Sequence, residues 1–318
     1  MNHFRLYIRD ASPLMQLFLL IAVTLFSVGM VGSVGILASK TFYGADWEQI
    51  LEYISAPETP GAMGPLKLLQ LFNTLALFLI PAMIFSQLFS PKPEVFLRLN
   101  RFSTPLIMLL VGILFIAFTP ITDALAWLND SVHLPDFLAG FEAEMRNSAE
   151  SQQLLIGSFM EMNSFSTFLY NLVLLAVVPA LGEEFFFRGI VQRLLIRNTN
   201  RIHLSIWVTG LAFGLMHQQF FAIIPLTILG ALLGYIKEWT GSLWASILAH
   251  FVNNALIVVV AYFMNYNMSD LEALSSPDVF ILLPAVVVTG AIIYFLVKSK
   301  VKQLPENDDF VIEINEPD

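Results

Sequence analysis

The sequence predicts an all-α fold, a polytopic membrane protein with about eight transmembrane helices. Three observations carry that prediction. The 318 residues are 57% hydrophobic and only 13% charged, whereas soluble domains carry roughly 25% charged residues. The apolar residues arrive in blocks of about 17–25, the length that crosses a bilayer as a helix. Most of the lysines and arginines gather at alternate junctions between those blocks, as the positive-inside bias requires.

The first block covers about residues 14–38, after the opening "MNHFRLYIRDAS". It is too long for the roughly 7–15-residue apolar region of a signal peptide, so it reads as a retained anchor. A connection follows, "KTFYGADWEQILEYISAPETPGAMGP" (40–65), expected as a loop with an amphipathic turn or two. The second and third blocks cover about 66–89 and 105–127. The 128–164 connection contains "DFLAGFEAEMRNSAESQQLL", where Phe137, Leu138 and Phe141 make an apolar face suited to a helix lying at the membrane interface. Five further blocks cover about 165–190, 203–218, 221–237, 243–264 and 279–297, the fifth and sixth of the series short and close together. The tail, ending "PENDDFVIEINEPD", has the composition of a disordered segment. The chain thus divides into helices 1–3 with extracytoplasmic loops (1–164), a helical core (165–297) and a cytoplasmic tail (298–318).

Charge sets the orientation. Arg5 and Arg9, then Lys92, Arg98 and Arg101, then Arg193, Arg197 and Arg201, then Lys237, and finally Lys298, Lys300 and Lys302 fall on one side of an eight-span chain. The other side holds Lys40, Lys67 and Arg146 among many acids, including Asp46, Glu48, Glu142 and Asp278. Both termini are expected in the cytoplasm. The net charge of −9 follows from this distribution, and no nucleic-acid partner is expected. There is no cysteine, which excludes disulfides and thiolate metal ligation.

Against this background the informative residues are ionisable groups inside apolar blocks, which usually face a cavity or one another. The segment "ALGEEFFFRG" (180–189) places Glu183, Glu184 and Arg188 in the fourth block; His217 ends the fifth; His250 and Asn254 lie in the seventh. Counting from the arginine-marked junction, Glu183 and His217 both rise about 21–24 Å, so they share a depth. His250 and Asn254 rise about 12 and 18 Å from the start of their own helix. Glu184 and Arg188 are an i,i+4 pair, expected as a buried ion pair. That pairing leaves Glu183 as the spare carboxylate, turned about 100° around the helix. Taken alone, His217 reads as a packing or interface histidine, and His250 with Asn254 as an interhelical hydrogen-bonding pair. The phenylalanine run 185–187 is expected to fill apolar space. Together a carboxylate, two imidazoles and an amide supply the means to activate water and hold an oxyanion. From the residues, the site suits a hydrolase or a proton-coupled transporter. Repeated halves and broken helices are common in transporters, and no internal repeat is evident here.

The three clusters also resemble the motifs of the CPBP family, which contains the CAAX prenyl proteases and bacterial relatives linked to bacteriocin self-immunity (Abi). E-E-x-x-x-R is matched by Glu183, Glu184 and Arg188, F-x-x-x-H by Phe213 and His217 in "FGLMH", and H-x-x-x-N by His250 and Asn254 in "HFVNN". The resemblance covers about residues 165–264 and implies an eight-helix intramembrane endopeptidase. It makes Glu183 the base that activates water, aided by His217, with His250 and Asn254 holding the oxyanion. Glu184 and Arg188 would orient the base, and Phe213 would be structural. The implied substrate is a peptide or protein in or at the membrane, and the bacterial inner membrane is the expected location. The alternative within the same resemblance is a non-catalytic immunity or partner-regulating protein. A zinc site built on Glu183, His217 and His250 is possible. The amide of Asn254 and the absence of an H-E-x-x-H helix favour a metal-independent glutamate hydrolase.

Overall fold

The computed structural model describes residues 8–264 and 277–299. Every regular element among them is helical. Ten helices organise the molecule: α1 (Pro13–Tyr43), α2 (Trp47–Ser55), α3 (Met63–Phe89), α4 (Pro105–Asp130), α5 (Ala139–Met160), α6 (Phe165–Thr199), α7 (Ile202–Met216), α8 (Phe220–Thr240), α9 (Leu243–Phe263) and α10 (Val279–Lys298). Seven of them, α1, α3, α4, α6, α8, α9 and α10, are long and apolar enough to cross a membrane. The chain is therefore an all-α, multi-pass membrane protein. The fifth expected span corrects to a shorter element: α7 has 15 residues, about 22 Å against a hydrocarbon core of about 30 Å. The fourth lengthens, since α6 runs 35 residues to Thr199.

Local chemistry explains the starts and stops. Proline occupies the first turn of α1 and α4, where its missing N–H costs nothing, and Ser12 and Thr104 cap those helices with their hydroxyls. Asp46 and Gln49 form a reciprocal capping box at α2, the helix inside the 40–65 connection. Helices α3 and α6 each contain a wide π turn, Leu75–Leu79 and Val173–Val177, ending two residues before Pro81 and Pro179. The proline ring leaves the carbonyl four residues earlier without its N–H donor. The preceding residue bonds one position further back instead, Ile80 N to Leu75 O and Val178 N to Val173 O. The two helices meet at Gly182, where a Cβ would stand 3.4 Å from Phe78 Cβ and 3.5 Å from Leu79 N.

Helices α7 and α8 form a tight antiparallel hairpin. A Cβ on Gly210 would fall 2.7 Å from Thr227 O and 2.8 Å from Ala231 N, so backbone approach here requires glycine, as membrane helix pairs commonly do. His217 caps α7 at the apex, and Gln218 turns the chain in the left-handed region (φ 56°). Asn129, at the end of α4, clasps this apex by donating to Phe220 O (3.2 Å) and accepting from Ile224 N (3.0 Å). The main core joins Phe78, Leu114, Phe115 and Phe118 of the N-terminal helices to Phe187, Phe213, Leu233 and Ala249. The helices before residue 165 are thus part of the packing that holds the polar groups.

Helix α5 and the turn before it fill the 128–164 connection. Phe137 and Phe141 are exposed, as an interfacial face requires. The helix is tied to the end of α4 by Arg146, which reaches Asp130 (3.1 Å) and Glu142 (3.0 Å) and stacks 4.1 Å from the Phe221 ring. The expected disordered tail lies outside the described residues from position 300 onward.

Candidate active site

The three expected clusters converge. Helix α6 supplies Glu183, Glu184 and Arg188, which are buried at 8%, 0% and 0% exposure in the middle of a 35-residue helix. A π turn covers Phe185–Val191, so Arg188 sits in a widened stretch where Gln192 N bonds back to Phe187 O. Such turns recur at functional sites. Arg188 Nη1 still donates to Glu184 Oε1 at 2.7 Å, as the i,i+4 spacing foretold. Its Nη2 donates to the Gly230 carbonyl of α8 at 2.7 Å, and its guanidinium stands 4.8 Å from the Phe213 ring. The sequence reading missed Gly230. Backbone carbonyls carry no side-chain signature, and Gly230 contributes by letting α8 approach α7, since its own Cβ would lie 3.0 Å from Gly210 Cα.

His250 comes in from α9, buried to 2%. Its Nδ1 is 2.9 Å from Glu184 Oε1, the same oxygen that takes Arg188. An ionised carboxylate only accepts, so the proton belongs on Nδ1, and in the neutral ring Nε2 is left with its lone pair. That Nε2 lies 4.0 Å from Glu183 Oε2. Oε2 of Glu183 and Oε2 of Glu184 are both buried without a hydrogen-bond partner among the described residues.

His217 enters at the apex of the α7–α8 hairpin. Its Nδ1 donates to the Phe213 carbonyl at 2.8 Å, which again leaves Nε2 for other chemistry. Phe213 links the histidines, its ring 4.7 Å from that of His217 and 5.7 Å from that of His250. Asn254 lies one turn beyond His250 on α9, and its Oδ1 accepts from Asn253 Nδ2 at 3.2 Å. The structure therefore groups Glu183, Glu184, Arg188, Phe213, His217 and His250, while the hydrogen bond of Asn254 goes to Asn253 rather than to a member of that group. Among the described residues no three or more His, Asp or Glu side chains converge as a metal-binding group.

A second buried polar cluster escaped the sequence reading. Arg98 and Lys237, which count toward the cytoplasmic side in the charge pattern, are 2% and 1% exposed and pair with Glu238 at 3.8 and 3.0 Å. Gln192 of α6 donates to the same Glu238 at 3.0 Å. The cluster lies one turn beyond Arg188 along α6, and the Trp244 indole adds a bond to the Leu99 carbonyl at 2.9 Å. It locks the loop before α4 onto the helices that carry the site. No periodicity marks these residues, so their burial is not legible in the order of the chain.

The arrangement can hold a water between a carboxylate oxygen that has no partner among the described residues and an imidazole nitrogen, in a buried and closely packed setting. Residues 165–256 match the family described as Type II CAAX prenyl endopeptidase Rce1-like. The chain is 30% identical over 90 residues to the uncharacterised protein YpbD of Bacillus subtilis (strain 168), covering 27% of this chain and 43% of that protein. The match thus spans less than half of that relative's length. No solved structure matches.

Proposed function

From the Rce1-like domain at residues 165–256, we propose that this protein is an intramembrane endopeptidase that hydrolyses a peptide bond with a water activated by Glu183. The observation that carries the proposal is the buried, unpartnered Oε2 of Glu183, 4.0 Å from His250 Nε2. A buried carboxylate oxygen without a donor is costly, and a bound water with two or more polar partners meets that need. Such a water donates one hydrogen to Glu183 Oε2 and the other to His250 Nε2, presenting its oxygen lone pair to a peptide carbonyl. Glu183 takes the proton as the C–O bond forms, then returns it to the leaving nitrogen as the C–N bond breaks. Glu184 acts one step behind: charge-paired with Arg188, it fixes the ring and tautomer of His250. The side-chain amide of Asn254, one turn beyond His250 on α9, is the candidate donor to the developing oxyanion, and His217 assists from the hairpin apex.

We take the reaction to be metal-independent. Support comes from the sequence: the amide of Asn254 is a good hydrogen-bond donor and a poor zinc ligand, and no H-E-x-x-H helix is present. The direct test is to compare membrane peptides that accumulate in cells carrying Glu183→Gln with those carrying wild-type protein. Specific substrates should accumulate in the variant. Full complementation of the wild-type phenotype by Glu183→Gln would instead support a binding or immunity role without proteolysis.

A further inference from the structure

Beside the catalytic cluster lies a cavity of about 630 Å³ between α4, α8 and α9, within the range of specific ligand sites. Its walls are aliphatic, with Leu226 and Leu229 from α8 and Leu256 and Ile257 from α9. Ile257 and Val260 line it and are also exposed, so it reaches the lipid-facing surface. Its inner wall is shared with the site. Leu229 precedes Gly230, whose carbonyl holds Arg188, and Asn253 donates to Asn254. Into this apolar space α4 projects Asp123, flanked by Thr119 and Thr122. Asp123 is an acid in the interior of a 26-residue membrane helix, and it has no ion pair or hydrogen bond with any described residue. Intramembrane carboxylates of this kind are retained for partners.

We propose that this cavity is a substrate subsite, taking an apolar peptide segment whose lysine or arginine side chain pairs with Asp123. The inference rests on the peptidase reading for what the bound segment is for, but not for its binding. Charge complementarity and continuity with the catalytic cluster select the occupant. A cation brought into an apolar cavity is stable only opposite an anion, and a chain entering from lipid beside Ile257 passes Asn253 on its way to Glu183 and His250. Asp123 would thereby set the register of the scissile bond along the substrate.

The test uses full-length protein in nanodiscs and a fluorescent Leu/Ala peptide of about twenty residues, long enough to span the bilayer, with one lysine about two turns from one end. Its partner probe carries norleucine in place of lysine. Binding is measured on Glu183→Gln protein so that neither probe is consumed. Asp123→Asn should weaken the lysine peptide by about tenfold, the order of a lost close charge pair, and leave the norleucine peptide within about twofold. Asp123→Lys should restore tight binding of a glutamate-bearing peptide. Leu256→Trp, which fills the cavity, should weaken both probes. Comparing two peptides on one variant separates charge recognition from a folding defect. Equal affinity of the lysine peptide with and without Asp123, or indifference to Leu256→Trp, would overturn the proposal. If the binding pattern holds while wild-type protein cleaves neither probe nor cellular peptides, the subsite stands and the peptidase reading falls. Cleavage that ignores Asp123 would do the reverse.

Discussion

At the scale of single residues, Glu183 and Arg188 make distinct predictions. Glu183→Gln keeps the volume but cannot take a proton, so cleavage should fall by about 10²–10⁴, the range of general-base catalysis. Membrane insertion and thermal stability should hold, as read by yield and a melting curve. Arg188→Ala should behave differently. It leaves Glu184 buried beside His250 without its guanidinium, a loss of about 3–5 kcal/mol for broken buried pairs, so yield and melting temperature should drop together with activity. Unchanged stability with only turnover reduced would place Arg188 in substrate binding. Sequence spacing foresaw this ion pair because i,i+4 contacts are local. It could not foresee that His250 shares the same carboxylate oxygen at 2.9 Å, because that bond joins residues 66 positions apart.

Elements place those residues, and the α7–α8 hairpin is the sensitive one. Gly210 and Gly214 allow backbones to touch, with a Cβ on Gly214 meeting Thr227 Oγ1 at 2.8 Å. Gly210→Val should force the hairpin apart, lowering the melting temperature and moving Phe213 and His217 together away from Arg188 and His250. Activity should therefore fall more than Gly112→Val causes, where a Cβ meets nothing within 4 Å. The sequence predicted these segments as two apolar blocks but not their close pairing, since a 15-residue block resembles a short span. The prolines of α3 and α6 were equally visible in the sequence. Their effect was not, because a π turn depends on which carbonyl the displaced N–H finds.

For the whole molecule, orientation, acid response and metal content are open to measurement. The chain has no cysteine, so single substitutions report topology cleanly. Lys298→Cys should be shielded from an impermeant thiol reagent in intact cells, and exposed Glu58→Cys in the α2–α3 loop should react, if both termini are cytoplasmic. Outside the spans, Glu142 has its carboxyl held down to about 2 from the usual 4.5 by the Leu134 N–H, His133 and Arg146. A depressed folded pKa contributes stability above about 4.5 that is lost as pH falls toward about 2. Amide exchange in α5 should accelerate across that acid window, and Glu142→Gln should abolish the pH dependence. Exhaustive chelation should leave cleavage intact, with zinc well below one per chain by elemental analysis; zinc-restored activity would reverse the metal assignment.

By itself the sequence determined that this is a helical membrane protein, which residues are chemically out of place in lipid, and that they share a depth. Hydrophobic block length and i,i+4 spacing are local quantities, and a chain read in order contains them. Tertiary structure alone decided that Arg98, Lys237 and Glu238 are buried, that Gly230 completes the Arg188 site, and that Asp123 faces a cavity beside the buried acid and histidine cluster. Each of these depends on which helices pack together and how closely. In a chain whose apolar faces are nearly uniform, that choice is made by small residues and buried polar partners far apart in sequence.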